Sequence, residues 1–170
     1  MRSTGEVMGI DSNFPSSFAK SQAAAGSSLP LAGTVFISVA DRDKPQIVLP
    51  VRRLAQLGYR ILATDGTSKM LRRHGIESQT VAKYSQARGE RSIVEMITSG
   101  EVDVVVNTPS GADARSDGYE IRAATTAADK PIFTTVAQLS AAIGSFEIIR
   151  ERKFNVKSLQ EHAKFRLENA

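Results

Sequence analysis

Apolar, largely β-branched residues gather into five short runs, at 34–39, 59–63, 78–82, 102–107 and 131–135. Runs of this length bounded by polar turns are the signature of buried strands. Between them the apolar positions recur at helical spacing. Ile47, Val48, Val51, Leu54, Ala55 and Leu57 lead to Gly58, and Ile93, Met96 and Ile97 share one face of a helix over 90–98 that Gly100 stops. Ile121, Ala124, Thr125 and Ala128 point inward from a helix over 119–128, and Leu139, Ile143 and Phe146 from one over 136–149. A shorter helix is read over 69–74, with Gly75 as its C-cap. Strands alternating with helices predict an α/β fold: a doubly wound, mainly parallel five-stranded sheet with helices on both faces. Pro45 suits a first helical position, but Pro50 lacks the N–H that a mid-helix residue donates. The helix after the first strand is therefore expected either to have a distorted first turn or to begin near Pro50.

In such sheets ligands bind beyond the carboxyl ends of the strands. Polar turns fall there at 41–44, 64–68 and 107–111, with a fourth at 83–89 after the weaker third strand. The stretch Thr64-Asp65-Gly66-Thr67-Ser68-Lys69 joins a strand to a helix and is rich in hydroxyls. Backbone N–H groups at a helix start have no intrahelical partner and the helix dipole is positive there, so this stretch can cradle a phosphate. Gly66 would let a ligand approach the backbone closely. The plainer alternative is an ordinary N-cap that happens to carry Thr or Ser. One sheet edge would gather Lys44, Thr64, Thr67, Lys83, Asn107, Thr108 and Ser110. Their convergence, rather than any one turn, favours a site for an anion or a nucleotide.

The ends read differently from the middle. Residues 11–20 can form a short helix with Phe14 and Phe18 on one face, and 21–30 reads as a Ser- and Ala-rich linker ending in Pro30. This lead segment has apolar residues but no partner that the sequence identifies, so residues 1–20 are expected to be poorly ordered or held only by a neighbouring molecule. Residues 154–167 form a basic, weakly amphipathic tail.

Composition narrows the function classes. The 170 residues are 41% hydrophobic and 24% charged, as suits a globular domain with a core. Cysteine is absent and the two histidines, His74 and His162, are far apart, which disfavours disulfides and a zinc site. No apolar run approaches the roughly 20 residues of a membrane span, and no signal peptide is evident, so a cytoplasmic location is expected. The net charge of +4 comes mostly from residues 150–170, with six basic and three acidic groups; residues 33–149 carry 14 basic against 13 acidic. A neutral body without a basic stripe argues against nucleic-acid binding.

Several motifs in sequence order carry a resemblance. Ser3-Thr4-Gly5-Glu6-Val7-Met8-Gly9 is similar to the segment that closes the second ATP-grasp half of the carbamoyl-phosphate synthase large subunit. Asp43-Lys44, Ala63-Thr64-Asp65-Gly66-Thr67, Val81-Ala82-Lys83, Val106-Asn107-Thr108, Ile121-Arg122 and Phe133-Thr134-Thr135 resemble that subunit's allosteric domain, which has the methylglyoxal-synthase-like fold. The resemblance implies that the chain is a fragment, with Met1 an internal residue of a longer parent. It divides the chain into the tail of an ATP-grasp domain plus linker (1–32), the methylglyoxal-synthase-like domain (33–150) and a basic tail (151–170).

It also implies a regulatory role. The family domain binds UMP as an inhibitor and, in some members, IMP as an activator. Carried over, the effector-binding residues are Lys44, Thr64, Asp65, Gly66, Thr67, Lys83, Asn107, Thr108 and Ser110, with no catalytic or metal-binding residue. Asp65 stands where many members have histidine, and an acid repels phosphate; Pro109 replaces a hydroxyl residue. Thr134 matches part of an ornithine site, but Ile132 stands in place of a tyrosine, so ornithine binding is not expected. The fragment needs no cofactor, while ATP, Mg and K ions are implied for the parent. Implied partners are the synthetase domains of the same chain and a glutaminase small subunit. The implied parent makes carbamoyl phosphate for arginine and pyrimidine synthesis.

The rival expectation is a methylglyoxal synthase acting on dihydroxyacetone phosphate. That family carries an acidic base in a loop after the third strand and a histidine after the fourth. Here the first place reads Ala87-Arg88-Gly89-Glu90-Arg91, and 107–117 has no histidine. Other residues have bland readings: Asp103 as a strand end or surface group, Tyr119 as a packing residue, His74 at the last turn of its helix, Arg88 and Arg91 as solvated, and Arg122 paired with an acidic loop residue such as Asp117.

Overall fold

The computed structural model describes residues 6–82, 92–109, 114–151 and 156–168, with side chains placed for all of these except 114–117 and 165–168. Five strands, β1 (Thr34–Ser38), β2 (Arg60–Thr64), β3 (Gln79–Val81), β4 (Val104–Asn107) and β5 (Ile132–Phe133), form one sheet in the order β3-β2-β1-β4-β5. Every pairing is parallel. The helices are α1 (Phe14–Ala24), α2 (Lys44–Gln56), α3 (Asp65–Arg73), α4 (Ile93–Thr98), α5 (Ala114–Ala127), α6 (Val136–Glu151) and α7 (Leu159–Glu168).

Strand alternation divides the interior into two cores. Val35, Ile37, Ile61, Ala63, Val104, Val106 and Phe133 face one side, where Ile47, Val51 and Leu54 of α2, Leu71 of α3 and Leu139, Ile143 and Phe146 of α6 cover them. Phe36, Leu62 and Val105, paired in register, face the other side under Ile93 and Ile97 of α4 and Ile121 and Ala124 of α5. Phe36 is fully buried, a burial contributing about 1.5–3 kcal/mol. The doubly wound sheet expected from the alternation is the observed one. β1 and β2 run toward one edge and β4 and β5 toward the other, so the order reverses between β1 and β4.

Several element ends depart from the sequence reading; α4, read over 90–98, starts at Ile93 because Ser92 is its extended N-cap residue. Pro50 is buried inside a continuous α2, which a 3-10 turn at Asp41–Asp43 leads into; neither a late start nor a broken first turn is needed, because the helix loses only the one N–H that proline lacks. α3 begins at Asp65 rather than at 69, since Thr64 is already its extended N-cap residue and an acid is favourable in a first turn. α5 begins at Ala114 and takes Gly118 into its interior. The basic tail contains a helix, α7, opened by Ser158, whose N–H donates to Glu161 Oε2 at 2.6 Å.

Residues 6–20 correct the expectation of an unanchored start, and residues 1–5 lie outside the described residues. Asn13 accepts from Ser16 N–H at 2.9 Å and Pro15 occupies the first turn, so α1 starts at Phe14. The helix packs on α6: Ser145 Oγ donates to Pro15 O at 2.7 Å, and a Cβ at Gly144 would meet Pro15 Cγ at 3.0 Å. Lys20 Nζ closes the approach, 2.7 Å from Asp11 Oδ2. The linker is tied down as well. Leu29 packs on the larger core and Tyr59 donates its hydroxyl to Pro30 O, with the Tyr59 ring edge-on to Phe146 at 5.5 Å.

Candidate effector site

The carboxyl ends of β1, β2 and β4 surround a cavity of about 280 Å³ at the point where strand order reverses. This is the crevice where parallel α/β sheets hold ligands. Lys44, Thr64, Gly66, Thr67, Asn107 and Thr108 all line it, so six of the nine sequence-derived residues share one space. Asp65 belongs to the same helical turn, but its carboxylate points outward, 65% exposed, and is 2.8 Å from Lys69 Nζ. The repulsion that an acid at this position would exert on a phosphate is thus turned away from the cavity. Lys83 and Ser110 lie outside the described residues.

Each wall has a local cause. α3 starts directly at the end of β2, and Thr64, its N-cap residue, makes no side-chain cap. Its hydroxyl instead donates to Thr67 Oγ1 at 3.3 Å. The first-turn N–H groups of a nine-residue helix therefore face the cavity without a side-chain acceptor from the cap, and Thr67 keeps its own hydroxyl proton for another acceptor. The plain N-cap alternative does not describe this geometry. Gly66 sits under Lys44: a Cβ there would be 3.2 Å from Lys44 Nζ. The ammonium is 2.6 Å from Asp41 Oδ1, an exposed partner that a ligand anion can supplement.

Thr108 Oγ1 accepts from Ala40 N–H at 2.9 Å, and Thr108 N–H donates to Ser38 O at 3.1 Å. These bonds lock the β4 end to the β1 end and leave the Thr108 hydroxyl proton to donate elsewhere. Arg42 Nη2 donates to Pro109 O at 3.0 Å, adding a strap across the same gap. Asn107 is 5% exposed and accepts from Arg122 Nη1 at 3.0 Å. The walls thus offer ammonium, amide and hydroxyl donors, a set that suits an acceptor-rich group such as a phosphate.

The lining also takes in Ser38, Val39, Ala40, Gly118 and Ile121, which sequence reasoning passed over, and Asp41 and Pro109 from two of the turns it named. Ser38 ends β1 and Ala40 directly follows the first apolar run, which was the available signal; Gly118 comes in because α5 starts early. Arg122 reaches Asn107 where an acidic loop residue was expected; the Asp117 side chain is outside the described set. Tyr119, read as packing, is 64% exposed because it lies on the outer face of α5. Asp103 is no mere surface group: Oδ2 accepts from Thr34 N–H at 2.8 Å and Oδ1 is 3.4 Å from Lys130 Nζ. His74 is the C-cap residue of α3, and its carbonyl accepts from Arg52 Nη2 at 3.0 Å. Arg88, Glu90 and Arg91 lie outside the described residues. Among the described residues, no three His, Cys, Asp or Glu side chains group as a metal site, and no helix is long and apolar enough to cross a membrane.

A parallel sheet with a donor-lined crevice at its switch point defines a doubly wound α/β domain. The family profile described as "MGS-like domain" matches residues 46–134, just over half of the chain, and the chain belongs to that family. Among curated relatives it is 64% identical over 166 residues to the carbamoyl phosphate synthase large chain of Clavibacter sepedonicus, covering 96% of this chain and 15% of that protein. It is 61% identical over 165 residues to the same-named protein of Beutenbergia cavernae and 53% identical over 173 residues to that of Renibacterium salmoninarum. The chain thus spans about one-sixth of the length of the curated relatives it matches.

Proposed function

We propose that this chain is the regulatory, nucleotide-binding domain of a carbamoyl phosphate synthase large chain, with UMP as its inhibitory effector and IMP as a second candidate. One observation carries the reading: Lys44, Thr64, Gly66, Thr67, Asn107 and Thr108, drawn from three strand ends, line a single cavity over an uncapped helix start. The resemblance of the relatives supports the assignment to that enzyme. On this reading the parent makes carbamoyl phosphate from glutamine or ammonia, bicarbonate and ATP, with Mg and K ions, in the cytoplasm. The synthetase domains and a glutaminase small subunit would then be the partners that feel the effector, since allostery needs a second state for the ligand to discriminate.

Catalysis by a methylglyoxal synthase mechanism is not favoured. Among the described residues of the lining the carboxylate is Asp41, 92% exposed and paired with Lys44, which leaves no desolvated base over the cavity. Calorimetric titration with UMP and with IMP tests the proposal, with Lys44→Ala and Lys83→Ala as controls. Saturable binding of either nucleotide, weakened in both controls, is expected. Heat-silent titrations with both nucleotides, repeated with the same result in the full-length parent, would overturn it.

A further inference from the structure

We infer that Arg122 is a positioning residue of this cavity: it turns the Asn107 amide so that the NH2 group donates inward, and the site thereby selects ligands presenting an acceptor oxygen at that wall. The inference rests on the effector-pocket reading above. Asn107 is buried and lines the cavity, and its Oδ1 accepts from Arg122 Nη1 at 3.0 Å. A guanidinium has donors only, so the atom facing it must be the amide oxygen, and Nδ2 is left to the other side. Gly118 makes the contact possible. A Cβ there would lie 2.8 Å from Arg122 Nη1 and 3.3 Å from Asn107 Oδ1, crowding both partners of the bond. The glycine is therefore a spacer in the wall of the cavity, and its place within α5 puts Arg122 one turn further on.

The arrangement also decides the local charge. Lys44 has Asp41 beside it, whereas among the described residues the acceptor for Arg122 is a neutral amide. A charged donor on Oδ1 polarises the amide and strengthens donation from Nδ2 in a partly buried site. The matching ligand atom is a phosphate oxygen or a ring carbonyl oxygen. Both are acceptors, and the test separates them by using inorganic phosphate, uridine and UMP as probes.

The experiment combines titration with NMR of the Asn107 side-chain amide, assigned by its loss in Asn107→Asp. In Arg122→Met the Asn107 NH2 resonances should move in the free protein, and UMP affinity should fall about tenfold, a charge-assisted contact being lost. Arg122→Lys should restore part of both. Asn107→Asp pairs a carboxylate with Arg122 and offers no donor, so it should keep the melting temperature and lose binding of whichever probe uses this wall. Response to phosphate alone assigns the wall to the phosphate; response to uridine alone assigns it to the base. An Arg122→Met protein with unmoved Asn107 resonances and unchanged affinity overturns the inference. So does an affinity loss that merely follows loss of folded protein, without rescue by lysine. If the wild type binds none of the probes, the effector reading fails by itself, and the free-protein resonances still decide the role of Arg122.

Discussion

The helix starts of α3 and α4 make an instructive pair. Each belongs to a helix that follows a strand of the same sheet, and each N-cap residue carries a hydroxyl: Thr64 in one, Ser92 in the other. In α4, Ser92 Oγ accepts from Glu95 N–H at 3.3 Å and Glu95 Oε2 accepts from Ser92 N–H at 2.9 Å, a complete capping box. In α3 the residue at the matching third position is Thr67, which cannot reach back to the N-cap N–H; it takes the Thr64 hydroxyl instead. One helix start is closed by its own side chains, and the other has no side-chain cap. The two starts differ in the cap hydroxyl, which accepts in α4 and donates in α3, and in the side chain at the third position.

Four measurements break or sharpen this contrast. The largest effect is expected from Thr67→Glu. A carboxylate there supplies the missing half of a capping box and puts negative charge where a phosphate would sit. Nucleotide affinity should drop by about a hundredfold or more, roughly 2.7 kcal/mol. A variant that stays folded by circular dichroism and still binds UMP like the wild type would sink the idea that the open helix start is the anion cradle.

Next comes Lys44→Ala. Affinity should fall about tenfold, near 1.4 kcal/mol, while chemical denaturation shifts by no more than about 0.5 kcal/mol, because the Asp41 partner is solvent-exposed. On the other helix, Ser92→Ala should cost about 1 kcal/mol of stability and leave nucleotide titrations unchanged. A binding defect in that variant would mean that the two helix starts are energetically linked.

The smallest effect concerns the docked lead segment. A hydrogen bond from Lys20 holds the Asp11 carboxyl below its usual range. A depressed folded value gives stability that is present above the unfolded pKa of about 3.9 and is lost as pH falls through the lower folded one. Denaturation midpoints measured from pH 5 down to pH 2 should show a wild-type advantage over Asp11→Asn that shrinks with acid, worth at most about 1 kcal/mol. An advantage that grows on acidification would contradict the ion pair.

Much of the fold was legible because burial in a parallel sheet leaves a strong local mark. Val104, Val105 and Val106 face alternate cores yet all must be apolar, and such a run reads clearly without neighbours. Six of the cavity-lining residues were legible for a related reason: polar turns after strands come to one edge once the strands are parallel. What escaped was set by contacts distant in sequence. Proline at position 50 argued against a continuous helix locally, but burial of Ile47, Val51 and Leu54 outweighs one missing hydrogen bond. Docking of α1 depends on the bare backbone at Gly144, some 130 residues from Pro15, and no periodicity reports that match.

The amino-acid order by itself determined the element types, the parallel arrangement and which polar turns follow strand ends, since these follow from periodicity and from where apolar runs stop. Only the tertiary structure decided how the polar groups are spent. It turned Asp65 out toward Lys69, left the α3 start uncapped, and brought Arg122 to Asn107 across Gly118. Each of these is a choice among partners of similar local strength, and the choice is made by which groups the packed sheet and helices place within hydrogen-bond reach.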